Sequence, residues 1–148
     1  MKSTDDKRII GRKDFASFPD FSLIDVEVKI DTGAYTSSIH VSHCQEVEKN
    51  GIKSLEVVFL DEQNKSFTGN TLYFPMYRIK KVRSSNGHEQ LRFFIKGKIV
   101  LLDKIFTTEF SLTKRNGLRC PILIGRKVLN NRFIVDTSLN HLSKNTKK

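Results

Sequence analysis

One short segment carries the residues best able to do chemistry. Asp31-Thr32-Gly33-Ala34 directly follows residues 26–30, a run that alternates like a β-strand. An acid at the end of a strand, in a tight turn that glycine allows, is held rigidly and close to solvent. An aspartic peptidase requires a carboxylate presented in this way. The pattern predicts Asp31 as a catalytic acid, and the alternative is an aspartate that caps a turn through its own side chain.

Aspartic peptidase chemistry needs two carboxylates that share a proton. One activates water as a general base while the other protonates or polarises the scissile carbonyl. The chain has one clear Asp-Thr-Gly segment, so a symmetric homodimer that brings Asp31 of each subunit together is the simplest source of the pair. Asp136 also follows a predicted strand, but it closes the last element of the fold, and we therefore disfavour a pair within one chain.

The rest of the chain predicts many short strands separated by turns. Helix-period stretches are almost absent, and the one convincing helix begins near Gly125 and covers residues 126–130. This pattern indicates an all-β fold, a small closed β-barrel with one short C-terminal helix. We divide the chain into a disordered N-terminus (1–7), one barrel domain (8–136) and a basic C-terminal tail (137–148). Strands are predicted over residues 8–12, 22–30, 37–41, 55–60, 71–74, 77–83, 91–95, 98–102, 105–112 and 133–135.

Composition sets limits on the setting and the partners. Among 148 residues, Lys plus Arg is 26 and Asp plus Glu is 16, which gives a net charge of +10. Such a field attracts nucleic acid, ribosomes or acidic peptides, although a solvated surface explains it equally well. The two cysteines do not make a disulfide framework, and no signal peptide or membrane span is recognisable. We expect a cytoplasmic protein without membrane partners.

A second segment strengthens the interpretation of the first. Residues 121–125 form an apolar run that ends in Gly125, and a short amphipathic helix follows. Together, this run and the Asp31 turn resemble the two halves of a retropepsin active site, in which the apolar strand packs under the catalytic loop. The resemblance implies that Thr32 cross-links the two loops of a dimer and that Gly33 lets the loop backbone approach closely.

The whole chain resembles a narrower bacterial and archaeal family that has a retropepsin-like fold. Its members carry the name ATP-dependent zinc protease and are often encoded beside an ATP-grasp ligase that adds glutamates to a ribosomal protein. From the matched segments and from charge, we assign Ala34, Arg83, Ser84 and Ser85 to substrate binding. The matching segments are Ile10-Gly11-Arg12, residues 29–34 with Thr36, Ser37 and His40, residues 82–87, residues 123–126 and residues 132–136.

The zinc and ATP in that family name have little support in the residues. There is no His-Glu-x-x-His motif and no phosphate-binding glycine loop. His40, His43 and Cys44 are close in sequence, but a strand would point the two histidines to opposite faces. We therefore predict no metal and no cofactor, and any ATP dependence would belong to a partner protein.

Seven cations crowd the central predicted hairpin, and some of them could bind substrate carboxylates. We single out Arg83. The expected function is an aspartic endopeptidase that trims acidic, oligoglutamate protein tails. Two alternatives stay open: a non-catalytic basic module that docks on a ribosome or RNA, and a zinc-dependent peptidase that uses His40, His43 and Cys44. The seven cations are Arg78, Lys80, Lys81, Arg83, Arg92, Lys96 and Lys98.

Overall fold

Strands dominate the computed structural model, which describes residues 7–83, 87–114 and 120–145. Ser84 and Ser85 lie outside the described residues, as do residues 1–6 of the predicted N-terminal segment. The strands are β1 (Arg8–Ile10), β2 (Lys13–Phe18), β3 (Leu23–Ile30), β4 (Ser37–Lys49), β5 (Ile52–Phe59), β6 (Leu72–Phe74), β7 (Arg78–Arg83), β8 (Glu89–Leu101), β9 (Lys104–Thr113), β10 (Ile122–Ile124) and β11 (Phe133–Val135). The two helices are α1 (Arg126–Leu129) and α2 (Leu142–Asn145).

Six strands close into a barrel in the order β3, β2, β8, β9, β4, β10. β10 completes the circle, because it pairs in parallel with β3 and antiparallel with β4. The predicted closed β-barrel and the short helix after Gly125 are confirmed. The predicted homodimer stays a prediction.

Three smaller pieces extend from the barrel. β4 and β5 continue beyond it as a hairpin that also pairs with β6. β7 joins only the first half of β8, where the two strands form the predicted basic hairpin. β1 and β11 make a separate two-stranded parallel sheet.

Phenylalanine rings fill much of the barrel interior. The ring of Phe21 stacks on that of Phe59, with centroids 4.7 Å apart, and meets the ring of Phe110 edge-on at 5.5 Å. Gly97 makes room for this cluster, since a Cβ atom there would lie 2.5 Å from the Phe21 ring. The phenylalanines therefore act as core packing.

The strands β2, β4 and β8 differ most from the prediction. β4 continues to Lys49, whereas the sequence predicts a strand over residues 37–41. β2 was missed because its inward positions include Asp14, which is fully buried and which accepts the amide N–H of Phe15 at 2.7 Å. β8 is one strand of 13 residues, whereas the sequence predicts two strands with a break between residues 95 and 98. The apparent break contains Gly97, which stays in the strand because the Phe21 ring occupies the space of a side chain.

The predicted basic tail contacts the barrel as far as Ser143. The amide of Arg12 donates to the carbonyl of Leu139, and the amide of His141 donates to the carbonyl of Lys13, both at 2.8 Å. The hydroxyl of Ser143 bonds the buried carboxylate of Asp14. The tail also contains α2, which the sequence did not predict.

Within the described residues, no helix has the length and apolar character needed to cross a membrane.

Candidate active site

The Asp31 turn is fixed by hydrogen bonds at both ends. The backbone amide of Asp31 donates to the carbonyl of Ile124 on β10 at 2.8 Å. The amide of Ala34 donates back to the carbonyl of Asp31 at 3.2 Å, and the amide of Gly33 donates to the Asp31 side-chain oxygen Oδ1 at 3.0 Å. The half-buried carboxylate is therefore held in one orientation by its own turn. This bond is the one that the turn-capping alternative expects, and it is equally compatible with a catalytic acid, so the catalytic role of Asp31 stays a prediction.

The apolar segment that ends in Gly125 packs directly under this turn. A Cβ atom on Gly125 would lie 2.7 Å from the carbonyl oxygen of Tyr35 and 2.8 Å from that of Ala34, so only glycine fits. The amide of Gly125 donates to the buried hydroxyl oxygen of Ser37 at 3.0 Å. The first two amides of α1 donate to the carbonyls of Ala34 and Tyr35 at 2.8 and 2.9 Å. The predicted pairing of the two segments is confirmed.

Thr32 and Gly33 form the exposed outer surface of the turn. The carbonyl of Thr32 accepts a hydrogen bond from Nη1 of Arg126 at 2.9 Å, which ties the turn to α1. The Thr32 hydroxyl would meet its proposed partner only in a second copy of the chain. Its role as a cross-link stays a prediction.

Asp31 borders a groove with a volume of about 780 Å³. The lining residues come from the Asp31 turn and the first part of β4, from the β7–β8 hairpin and from the end of β9. Ala34 lines the groove, so its predicted position beside the substrate is compatible with the structure. Among the described lining residues, Asp31 is the only carboxylic acid. The lining also includes Thr36, Ser38, Val41, Cys44, Lys80, Val82, Gln90, Leu91, Arg92, Phe93, Phe94, Ser111, Leu112, Thr113, Lys114 and Leu123.

Three cations face the groove and lack an acidic partner among the residues described. Lys80 and Arg92 are direct neighbours across the β7–β8 pairing, and Lys114 follows β9. Like charges placed opposite one another destabilise a strand pair. An anion placed between these side chains would relieve the repulsion.

Arg83, the cation selected from the sequence, is not among the described residues that line the groove, and its role in substrate binding stays a prediction. Its side chain is 74% exposed, and its Nη2 atom is 3.8 Å from Oε1 of Glu89. The sequence could have indicated Lys80 and Arg92, because the hairpin register places them side by side. Lys114 has no sequence signal, since its proximity to the groove follows from the pairing of β9 with β4 and β8.

Asp136 does not supply a second carboxylate to the groove. Its Oδ1 atom accepts hydrogen bonds from the hydroxyl of Ser138 at 2.6 Å and from the Ser138 amide at 3.0 Å. These bonds hold the pKa of Asp136 below its usual value. Asp136 is a turn residue after β11, as the sequence suggested.

The three candidate metal ligands do not converge. Nε2 of His40 is 2.8 Å from Oδ2 of Asp61, and Nε2 of His43 is 2.8 Å from Oε1 of Glu56. Burial raises the pKa of the Cys44 thiol to about 11, which disfavours the thiolate that a metal would need. In the part of the chain that the structure describes, no group of three or more His, Cys, Asp or Glu side chains could hold a metal ion.

Comparison with known proteins agrees with this geometry. The sequence model of a family described as "Retropepsin-like aspartic endopeptidase RimB" matches residues 9–146. A crystal structure of the protein Lpg0085 from Legionella pneumophila, described as having unknown function (DUF785), superposes with a TM-score of 0.66. It is 26% identical, and the match covers 92% of this chain and 98% of that one.

Curated relatives carry a different name. A probable alpha-L-glutamate ligase from Desulfotalea psychrophila is 29% identical over 135 residues, which are 90% of this chain and 29% of the ligase. A probable alpha-L-glutamate ligase from Shewanella pealeana is 27% identical, over 91% of this chain and 30% of the ligase. The chain thus spans less than a third of the length of these relatives. The family match covers nearly the whole chain and confirms the resemblance seen in the sequence: the chain belongs to the RimB-like family of retropepsin-like aspartic endopeptidases.

Proposed function

We propose that this protein is an aspartic endopeptidase whose catalytic pair is Asp31 from each of two copies of the chain. The observation that carries the proposal is the fixed Asp31 carboxylate at the edge of a groove that contains no other acid among its described residues. Membership of the family supports the same chemistry. Thr32 and Gly33 leave the outer surface of the turn exposed, so a second turn can approach it across a two-fold axis.

The chemistry needs one protonated and one ionised carboxylate. The ionised Asp31 accepts a proton from a water molecule held between the two acids, and the water oxygen attacks the peptide carbonyl carbon. The other carboxylic acid protonates or polarises the carbonyl oxygen. When the tetrahedral intermediate collapses, the amide nitrogen takes a proton and leaves as an amine. Two carboxylates this close titrate as a pair, because both cannot easily be ionised.

An acidic peptide is the substrate that the groove favours. Lys80, Arg92 and Lys114 have no acidic partner in the described structure, and substrate carboxylates would pair with them. The curated relatives are named probable alpha-L-glutamate ligases, and this name refers to glutamate. We therefore propose oligoglutamate protein tails as substrates. Free thiols at Cys44 and Cys120 suit a reducing, cytoplasmic setting.

Substitution of Asp31 by asparagine tests the catalytic assignment. Asp31→Asn should abolish cleavage of a glutamate-tailed peptide and leave the fold unchanged. Asp25→Asn is the matched control, because it makes the same charge change at an exposed residue whose φ of 50° suits asparagine. Wild-type cleavage by Asp31→Asn would refute the proposal.

Mixing the two proteins tests the shared site. If each active site needs Asp31 from both copies, an excess of Asp31→Asn chain should inhibit the wild-type chain by forming mixed dimers. Asp25→Asn chain should have no such effect. A rate that depends only on the amount of wild-type chain would show that an active site needs Asp31 from only one copy of the chain.

Peptides matched in length separate acidic specificity from general peptidase activity. Glutamate-tailed peptides should be cleaved faster than glutamine-tailed peptides, and the difference should shrink as salt rises. Equal rates would refute acidic specificity without refuting the peptidase assignment. The non-catalytic alternative, docking on a ribosome or RNA through the charge of +10, would be favoured by salt-sensitive co-sedimentation with ribosomes in the absence of any cleavage.

A further inference from the structure

Glu109 on β9 joins two other elements through one carboxylate. Its side chain is only 12% exposed. Nη2 and Nε of Arg78, the first residue of β7, donate hydrogen bonds to Oε1 and Oε2 of Glu109 at 2.9 and 3.1 Å. Nζ of Lys127 on α1 lies 3.7 Å from the same Oε1 atom. Glu109 thus holds the start of β7 and the short helix α1 against β9.

The contact with Arg78 acts on the strand that carries a groove cation. Lys80 lies two residues after Arg78, so the two side chains share a face of β7, and Lys80 lines the groove. The Arg78 guanidinium also lies over the ring of Phe94, 4.5 Å from its centroid, and Phe94 is another lining residue. Glu109 itself is absent from the described lining. Glu109 is therefore linked to the groove through Arg78 rather than by lining it.

The contact with Lys127 acts on the segment that follows the Asp31 turn. The backbone amide of Lys127 donates to the carbonyl of Tyr35 at 2.9 Å, and its Nζ atom lies 6.0 Å from the centroid of the Tyr35 ring. Tyr35 directly follows Ala34, which lines the groove. One carboxylate therefore connects the β7–β8 hairpin to the segment that carries the Asp31 turn.

Three cations of the described structure surround Glu109 and would repel one another without it. Lys96 is directly opposite Glu109 in the pairing of β8 with β9, and Arg78 and Lys127 approach from β7 and α1. Among the residues described, Glu109 is the only acidic partner within ion-pair distance of Arg78 or Lys127. Like charges held close to one another raise the free energy of the arrangement. Loss of the carboxylate should therefore release the start of β7.

We infer that Glu109 is a positioning residue for substrate binding, which fixes the start of β7 so that Lys80 and Arg92 keep their places in the groove that Asp31 borders. Arg92 is included because it is the direct neighbour of Lys80 across the β7–β8 pairing. This role deepens the proposed function and rests on it for the acidic substrate. Glu109 acts through Arg78 and is not itself a catalytic residue.

The sign of one substitution separates positioning from simple electrostatics. Glu109→Gln removes a negative charge near the groove, so an unchanged structure would bind an acidic peptide equally well or more tightly. If Glu109 holds β7, the same substitution should weaken binding, because Lys80 and Arg92 lose their places. The expected loss of affinity is about 3- to 10-fold, within the range for two exposed ion pairs.

Binding is measured with the full chain carrying Asp31→Asn, so that the probe is not cleaved. The probe is a fluorescent hexaglutamate peptide, and its anisotropy is followed at a temperature at which urea unfolding shows every variant to be fully folded. Glu89→Gln is the matched control, since it removes an exposed acid from the same hairpin, 3.8 Å from Arg83. This control should bind the probe as well as the parent does, or up to about fivefold more tightly.

A double variant supplies a second test at constant net charge. Arg78→Gln with Glu109→Gln removes one charge of each sign. If Glu109 acts through Arg78, the double variant should bind the probe about as weakly as Glu109→Gln alone, because both lack the same contact. Affinity equal to that of the parent would show that net charge controls binding, and it would overturn the positioning role.

Kinetics of the chain with Asp31 intact distinguish positioning from a structural role. Glu109→Gln should raise KM for a glutamate-tailed peptide about 3- to 10-fold and leave kcat within about twofold, because the bond from the Asp31 amide to Ile124 remains. KM for a glutamine-tailed peptide of the same length should change less, since that peptide has no carboxylates for Lys80 and Arg92. A merely structural role would lower the folded fraction, and with it the apparent kcat, without changing KM.

The outcomes separate this inference from the proposed function. If glutamate-tailed peptides are cleaved but Glu109→Gln binds hexaglutamate as tightly as the parent or more tightly, the positioning role is wrong and the peptidase assignment stands. If binding follows the predicted pattern but no peptide is cleaved, the positioning role stands without the peptidase assignment. Failure of the parent chain to bind hexaglutamate would overturn both the acidic substrate and the role of Glu109.

Discussion

Gly125→Ala should displace the turn that carries Asp31. A Cβ atom at this position would lie 2.7 Å from the carbonyl oxygen of Tyr35 and 2.8 Å from that of Ala34. Ordinary contact begins at 3.4 Å, so the backbone of these two residues must move away by about 0.7 Å. The φ angle of Gly125 is −97°, which alanine adopts freely, so the effect comes from crowding rather than from backbone strain.

The displacement has two measurable consequences. Overpacking of this kind costs about 1–3 kcal/mol of unfolding free energy. The amide of Ala34 donates to the carbonyl of Asp31, so we expect the movement to reach the carboxylate that we propose as catalytic. Misplacement by about 1 Å can lower a rate about 100-fold, and we expect a loss of about 10- to 100-fold in kcat.

Gly97→Ala is the matched control. Its new Cβ atom would lie 2.5 Å from the ring of Phe21, which crowds the barrel core without touching the Asp31 turn. Urea unfolding gives the stability of each variant, and initial rates of peptide cleavage are compared at a temperature where both variants are fully folded. Chemical shifts of the Gly33 amide report the movement without requiring activity.

A wild-type rate together with a wild-type Gly33 shift in Gly125→Ala would show that the Asp31 turn is not displaced. An equal loss of rate per folded molecule in Gly97→Ala, at equal loss of stability, would show that general destabilisation explains both results.

Three further predictions follow from contacts near the site. Ser37→Ala leaves the buried amide of Gly125 unpaired and should cost about 1–3 kcal/mol in urea unfolding, and unchanged stability would contradict this role of Ser37. Arg78 holds the pKa of Glu109 below its usual 4.5, so the ionised carboxylate stabilises the fold at neutral pH and this stabilisation is lost as pH falls through the lowered pKa. The stability difference between wild type and Glu109→Gln should therefore shrink between pH 7 and pH 3, and a constant difference would contradict the pairing. Burial raises the pKa of the Cys44 thiol to about 11, so little thiolate is present at pH 8. A variant in which Cys44 is the only cysteine should therefore react with iodoacetamide at pH 8 about 100-fold more slowly than free cysteine. An equal rate would show that the thiol is not shielded.

The Asp31 turn was predictable because its determinants are local. An alternating strand followed by an acid and, two positions later, a glycine specifies the turn. The structure adds the bonds from the Gly33 amide to the Asp31 carboxylate and from the Asp31 amide to the carbonyl of Ile124. The apolar segment before Gly125 was predictable in the same way. What the sequence alone could not provide was the contact distance that makes Gly125 necessary.

The walls of the groove were less predictable because they depend on distant pairing. Lys114 reaches the groove only because β9 pairs with both β4 and β8. β2 was missed because Asp14 occupies a buried position where a polar residue breaks the apolar pattern, and its partner Ser143 lies 129 residues away. Arg83 was selected from a matched segment and from its charge, whereas the hairpin register decides which cation of β7 faces the groove.

The site can exist only when the barrel is closed. β10 reaches the Asp31 turn by pairing with β3 on one side and β4 on the other, and both pairings join segments more than 80 residues apart in sequence. The turn on its own would keep the bond from the Gly33 amide but would lose the bond from the Asp31 amide to Ile124. Loosening of β10 should therefore release the carboxylate before the rest of the barrel unfolds. Rigidity at the Asp31 carboxylate is thus a property of the whole sheet, and we expect substitution of the buried glycine that follows β10 to disturb it as well.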